Sequence, residues 1–120
     1  MLIPSFALSI ENIFKIEFES GKLSTLVNNS ILRGDRDVYY FNALSGQRLS
    51  TALTALEDNA VLAIYYRKNS KWILVDSSLK SRVWHGKLPK SQSNRYMIEV
   101  GGTRGNATYE LFIGIAVVSY

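Results

Sequence analysis

"LSTALTALEDNAV", Leu49 to Val61, decides the fold class of this 120-residue chain. Leu49, Ala52, Leu53 and Leu56 are spaced for one face of a helix, and Ala and Leu are strong helix formers. Leu49, Thr51, Leu53 and Ala55 fit the inward face of a strand equally well. The β-branched Thr51 and Thr54 lean toward a strand, as does the even spacing of turns on both sides. The local pattern leaves both readings open.

Outward from this stretch the chain reads as strands. "FKIEFE" (Phe14 to Glu19) alternates, with Phe14, Ile16 and Phe18 against Lys15, Glu17 and Glu19. After a Ser20-Gly21 turn, Leu23 to Leu32 can form a second strand, broken at "NNS" (Asn28 to Ser30). "VYYFNAL" (Val38 to Leu44) puts Tyr39, Phe41 and Ala43 on one face, and "SGQR" (Ser45 to Arg48) bends the chain back. "NAVLAIYY" turns Ala60, Leu62 and Ile64 inward; "RKNSK" (Arg67 to Lys71) is a polar turn before "WILVD" (Trp72 to Asp76). "RVWHGKLP" alternates through Trp84, Gly86 and Leu88, and Pro89 ends it. "RYMIEV" carries Tyr96, Ile98 and Val100 inward; "TYELFIGIAVV" carries Tyr109, Leu111, Ile113, Ile115 and Val117. Eight or nine short strands with turns every 8–12 residues are the mark of an antiparallel sandwich or barrel.

Composition removes several kinds of chemistry. With no cysteine there is no disulfide, thiolate zinc site or cysteine nucleophile. His85 is the single histidine. It stands next to an inward Trp84, so alternation places it on the surface and not in a catalytic triad. Asp35 and Asp37 in "GDRD" have a spacing that can begin a calcium site. The further oxygens of a six- to eight-fold shell are not visible nearby, and capping of the turn is the expected role. No metal or cofactor is indicated, and no enzyme can be read from the residues.

The net charge of +4 favours acidic partners, with basic clusters at "RKNSKW" (Arg67 to Trp72) and "LKSRVWHGKLPK" (Leu79 to Lys90). Interleaved aromatics raise single-stranded nucleic acid as a partner, but alternation places both Trp72 and Trp84 in the core, which argues against it. "MLIPSFALS" (Met1 to Ser9) is apolar and ends in small residues at the spacing of a signal cleavage site, without a basic n-region. Residues 1–12 read as a signal-peptide remnant or an N-terminal tail, and 13–120 as one sandwich domain. No run approaches a membrane span.

"VGGTRGNATYEL" (Val100 to Leu111) is glycine-rich, but it lacks the Walker lysine and leads into a strand, so it holds no phosphate. It reads as a rigid hairpin in which Gly101, Gly102, Gly105 and Asn106 supply special backbone angles and Arg104 is lifted as a contact residue.

Several motifs then fall in order: "GDRDVYYFNALSGQRLS" (Gly34 to Ser50), "WHGKLP" (Trp84 to Pro89), "RYMIEV" (Arg95 to Val100) and "GGTRGNATYELFIGI" (Gly101 to Ile115). Together they resemble bacterial pre-peptidase C-terminal domains and the related periplasmic inhibitors of goose-type and invertebrate-type lysozymes. The resemblance runs from about Phe14 to Ile115. It implies a jelly-roll-like β-sandwich that is exported and non-enzymatic, and it makes "LSTALTAL" a strand. The expected partner is a protein or an anionic cell-envelope polymer, met by end loops through Thr103, Arg104 and Asn106, with Arg95 and Tyr96. Inhibitors of this type often show Ser-Gly followed closely by Tyr after Leu-Pro; here the stretch is "SQSNRY" (Ser91 to Tyr96), without glycine. A basic lysozyme would also repel a +4 chain.

Overall fold

The protein is described from a computed structural model, for residues 10–18 and 23–116. Its strands are β1 (Glu11–Lys15), β2 (Ser24–Ile31), β3 (Arg36–Asn42), β4 (Arg48–Ala55), β5 (Ala60–Lys68), β6 (Lys71–Leu74), β7 (Val83–Lys87), β8 (Arg95–Gly102) and β9 (Ala107–Ala116). They form two sheets, β1-β3-β8-β5-β6 and β2-β9-β4-β7. The eight strands after β1 make two interleaved four-stranded orders, the jelly-roll form of the sandwich. All their pairings are antiparallel, and β1 alone joins its neighbour β3 in parallel.

Leu49 to Ala55 is a strand. Leu49, Thr51 and Leu53 are buried, whereas Leu56 is 93% exposed. A helix would have turned Leu56 inward. It stands out of the fold because β4 ends at Ala55 and the chain turns there.

The core is the interleaving of inward rows from both sheets: Tyr39, Phe41, Leu62, Ile64, Tyr96, Ile98 and Val100 against Leu49, Leu53, Trp84, Leu111 and Ile113. Each follows the period of two that a half-buried strand requires. Phe14, Ile16 and Phe18 pack on the edge of this core, with the Phe14 ring stacked on Tyr39.

Three expectations need correction. The polar "NNS" does not break β2, which runs through to Ile31 in unbroken register with β9; it is an edge strand in which Asn29 turns inward to the Tyr39 hydroxyl and Ser30 pairs with Thr108 of β9. Trp72 lies outside the core. It is half-buried on the outer face of its sheet, between the Tyr40 ring (5.6 Å between centroids) and the Arg67 guanidinium, 5.0 Å from the ring centre. The third concerns "GGTRGN". β8 and β9 belong to different sheets, so Thr103 to Asn106 crosses between sheets and is not a hairpin. Met1 to Ser9, Glu19, Ser20-Gly21 and Val117 lie outside the described residues.

Candidate functional site

The jelly-roll order gathers the β2–β3, β4–β5, β6–β7 and β8–β9 connections at one end of the sandwich. The β3–β4, β5–β6 and β7–β8 connections lie at the other. The first end holds Thr103, Arg104 and Asn106; the second holds Arg95. β8 separates the two by eight residues, about 25 Å at a strand's rise. The expected contact residues therefore divide between two ends.

At the first end the organising residue is Asn59, to which sequence reading gives no role beyond the head of the strand Asn59 to Tyr66. It is 2% exposed. Its Nδ2 donates to the Arg104 carbonyl at 3.1 Å and the Asn106 carbonyl at 2.9 Å. Its own carbonyl accepts from Thr103 N at 2.9 Å. Two donors and one acceptor of a single residue thus fix the crossing loop, which a buried amide must do to be satisfied.

Other contacts tie the neighbouring turns to the same loop. The Asn106 Oδ1 accepts from Arg33 N at 2.7 Å, and Arg104 donates from its guanidinium to the Glu57 carbonyl at 2.6 Å. Gly105 has φ +60°, the left-handed region that favours glycine; Gly101 and Gly102 lie in β8 without it, and Asn106 does not adopt it. Arg104 is thus less a free finger than a clamp on the β4–β5 turn, the turn that carries exposed Leu56 next to Glu57.

Two of the cations at this end are held in ion pairs. Arg82 Nε lies 2.7 Å from Asp58 Oδ1, and Arg36 lies 3.1 Å from Glu99 and 3.6 Å from Glu11. The surface is a rigid set of three turns with exposed Leu32 and Leu56 among balanced charges.

Asp35 and Asp37 do different work from the expected cap. Asp35 Oδ1 accepts from Ile10 N at 3.2 Å. Asp37 is inside β3, 1% exposed, its Oδ1 accepting from Asn12 Nδ2 at 2.9 Å and its Oδ2 from the Tyr109 hydroxyl at 2.5 Å. Tyr109 donates there, so Tyr39 donates to Tyr109, and Asn29 Nδ2 donates to Tyr39 at 3.3 Å. This chain of hydrogen bonds crosses from one sheet to the other and consumes both carboxylate oxygens. Burial is the largest cause that pushes the Tyr109 and Tyr39 hydroxyls above their ordinary range, and for Tyr109 its bonds to Asp37 and Tyr39 push further. Among the described residues no group of three metal-ligating side chains is found.

At the second end Arg95 is exposed, but Tyr96 is fully buried, stacked on Phe41, and donates to the Pro89 carbonyl at 2.6 Å. Its hydroxyl is pushed up by burial. Tyr96 is placed to hold the β7–β8 connection. His85 lies exposed on β7 beside buried Trp84, whose Nε1 donates to Ser77 Oγ at 3.0 Å.

No protein-family model matches the chain, and no curated protein matches it in sequence. Solved structures do match in shape. PliG of Aeromonas hydrophila, a periplasmic inhibitor of g-type lysozyme, superposes with a TM-score of 0.74 at 18% identity, over 91% of this chain and 100% of that one. PliG of Salmonella Typhimurium gives 0.67 at 20% identity, over 88% and 98%. The pre-peptidase C-terminal domain of Bacillus anthracis collagenase gives 0.51 at 17% identity, over 93% and 100%. The chain therefore has the fold shared by the PliG inhibitors and this pre-peptidase domain, as the order of its motifs implied.

Proposed function

We propose that the chain is an exported, non-enzymatic inhibitor of g-type lysozyme that meets its target with the Asn59-braced end. The observation that carries this reading is the extent of the likeness: the inhibitor fold is matched over the whole of the Aeromonas chain. The braced end supports it. A stable protein contact needs a preorganised surface with an apolar centre, because ordering a loop on binding costs affinity. Leu56, 93% exposed and fixed beside the Arg104 clamp, supplies such a centre.

Net charge argued against a basic target, and the distribution of charge removes that objection. At this end Arg33, Arg36, Lys80, Arg82 and Arg104 stand among the carboxylates of Glu11, Asp35, Glu57, Asp58 and Glu99, so the net positive surplus lies about 25 Å away along β8, well beyond a screening length of about 8 Å.

Titrating purified protein into g-type lysozyme tests the reading. It predicts loss of lysis near a one-to-one ratio, and at least a tenfold weaker block by Leu56→Asp with thermal stability unchanged. Undiminished lysis at excess protein contradicts it.

A further inference from the structure

The other end carries a surface of opposite character. Parts of the two basic clusters of the sequence come together there, while Lys80 and Arg82 lie at the first end. Arg67 and Lys68 from the end of β5 share a groove of about 450 Å³ with Lys90 of the β7–β8 connection, beside Tyr66, Asn69 and Gln92. Through Tyr66, Pro89 and Lys90 this groove runs into a wider one of about 800 Å³ along β7, where Lys87 and His85 stand. The acid on the walls of the two grooves is Asp76. Lys68, Lys87 and Lys90 are exposed, and among the described residues none of them meets a carboxylate within ion-pair distance. Four cations on one continuous concave track concentrate positive potential where a chain can lie.

We propose that this track binds a linear anionic glycan, a polymer whose carboxylates or sulfates repeat along its length. This is a second site, independent of the lysozyme-binding end. Two features favour a glycan over single-stranded nucleic acid. Binding of bases rests on open aromatic faces, and the aromatics on these walls are covered: Tyr66 is half-buried and packs against the core, and Trp84 is 8% exposed. The walls instead offer the amides of Asn69 and Gln92 beside the cations, groups suited to sugar hydroxyls. The ordering of ends also fits, since a chain along this track leaves the Leu56 end free.

Oligogalacturonate is the probe, followed by calorimetry and by the fluorescence of Trp72, which carries the Arg67 guanidinium on its ring. The expected result is saturable binding that weakens about tenfold or more between low and physiological salt. Lys68→Glu combined with Lys90→Glu should lower the affinity at least tenfold, with the thermal unfolding curve and lysozyme inhibition unchanged. Failure of oligogalacturonate to bind, or equal binding by the double variant, overturns the proposal. So does tighter binding of an oligothymidylate of matched charge, which would make the track a nucleic-acid site. Loss of lysozyme inhibition in the double variant would merge the two ends into one site and overturn their independence.

Discussion

Asn59 and the Asp37–Tyr109 pair hold this molecule's loop end and its two sheets by polar contacts, and each can be cut separately. Asn59→Ala leaves the carbonyls of Arg104 and Asn106 without their donor. A lost hydrogen bond costs about 1 kcal/mol, and more where burial keeps water out. We expect urea unfolding to show a loss of about 1–2 kcal/mol, with faster hydrogen exchange at the Thr103 amide. Tyr109→Phe removes the donor to a buried carboxylate, worth about 1.5–3 kcal/mol, and should cost more than Asn59→Ala in the same assay. Tyr39, Tyr65, Tyr96 and Tyr109 all have hydroxyls raised by burial above their ordinary range. The unfolded chain then releases protons near pH 10 while the folded one keeps them, so the native state binds more protons. Stability should stay level up to about pH 9 and fall as pH rises past about 10. A urea midpoint unchanged at pH 11 would contradict that. None of these roles was legible in the sequence. Asp37 read as a turn residue because nothing in "GDRD" tells that the strand begins at Arg36, and Asn59 read as the plain head of a strand because its partners lie 45 and 47 positions away.

The elements were legible wherever alternation runs for six residues or more. The inward rows of β3, β5, β8 and β9 stand where period-two reading puts them, since one buried face admits one register. β4 was ambiguous because Leu and Ala serve a helix face and a strand face alike, and only the order of distant motifs separated the two. What local sequence does not carry is which sheet a strand joins. That is why the β8–β9 connection read as a hairpin, and why Trp72, on an edge strand with both faces partly covered, read as core. The corrected loop makes a specific claim about its glycines. Gly105→Ala, at φ +60°, should cost about 1 kcal/mol. Gly101→Ala, where an added Cβ meets nothing within 4 Å, should be neutral or slightly stabilising. Equal losses in thermal unfolding for both would show that the crossing loop is held differently.

Across the whole molecule, charge is segregated by topology. The end that gathers the β2–β3, β4–β5, β6–β7 and β8–β9 connections sets Arg33, Arg36, Lys80, Arg82 and Arg104 among Glu11, Asp35, Glu57, Asp58 and Glu99, and the end that gathers β5–β6 and β7–β8 keeps Arg67, Lys68, Lys87 and Lys90 together. The net charge of +4 was plain from composition. Its placement was not, because the basic residues alternate along the chain between strands whose ends meet only in the fold. The account therefore rests on a division: one end for lysozyme, the other for an anionic chain. Hydrogen exchange of the protein alone and mixed with g-type lysozyme tests that division most directly. It predicts new protection confined to residues 56–58 and 103–106, with exchange at 67–71 and 87–92 unchanged. Protection confined to 67–71 and 87–92, or none at all, would contradict it.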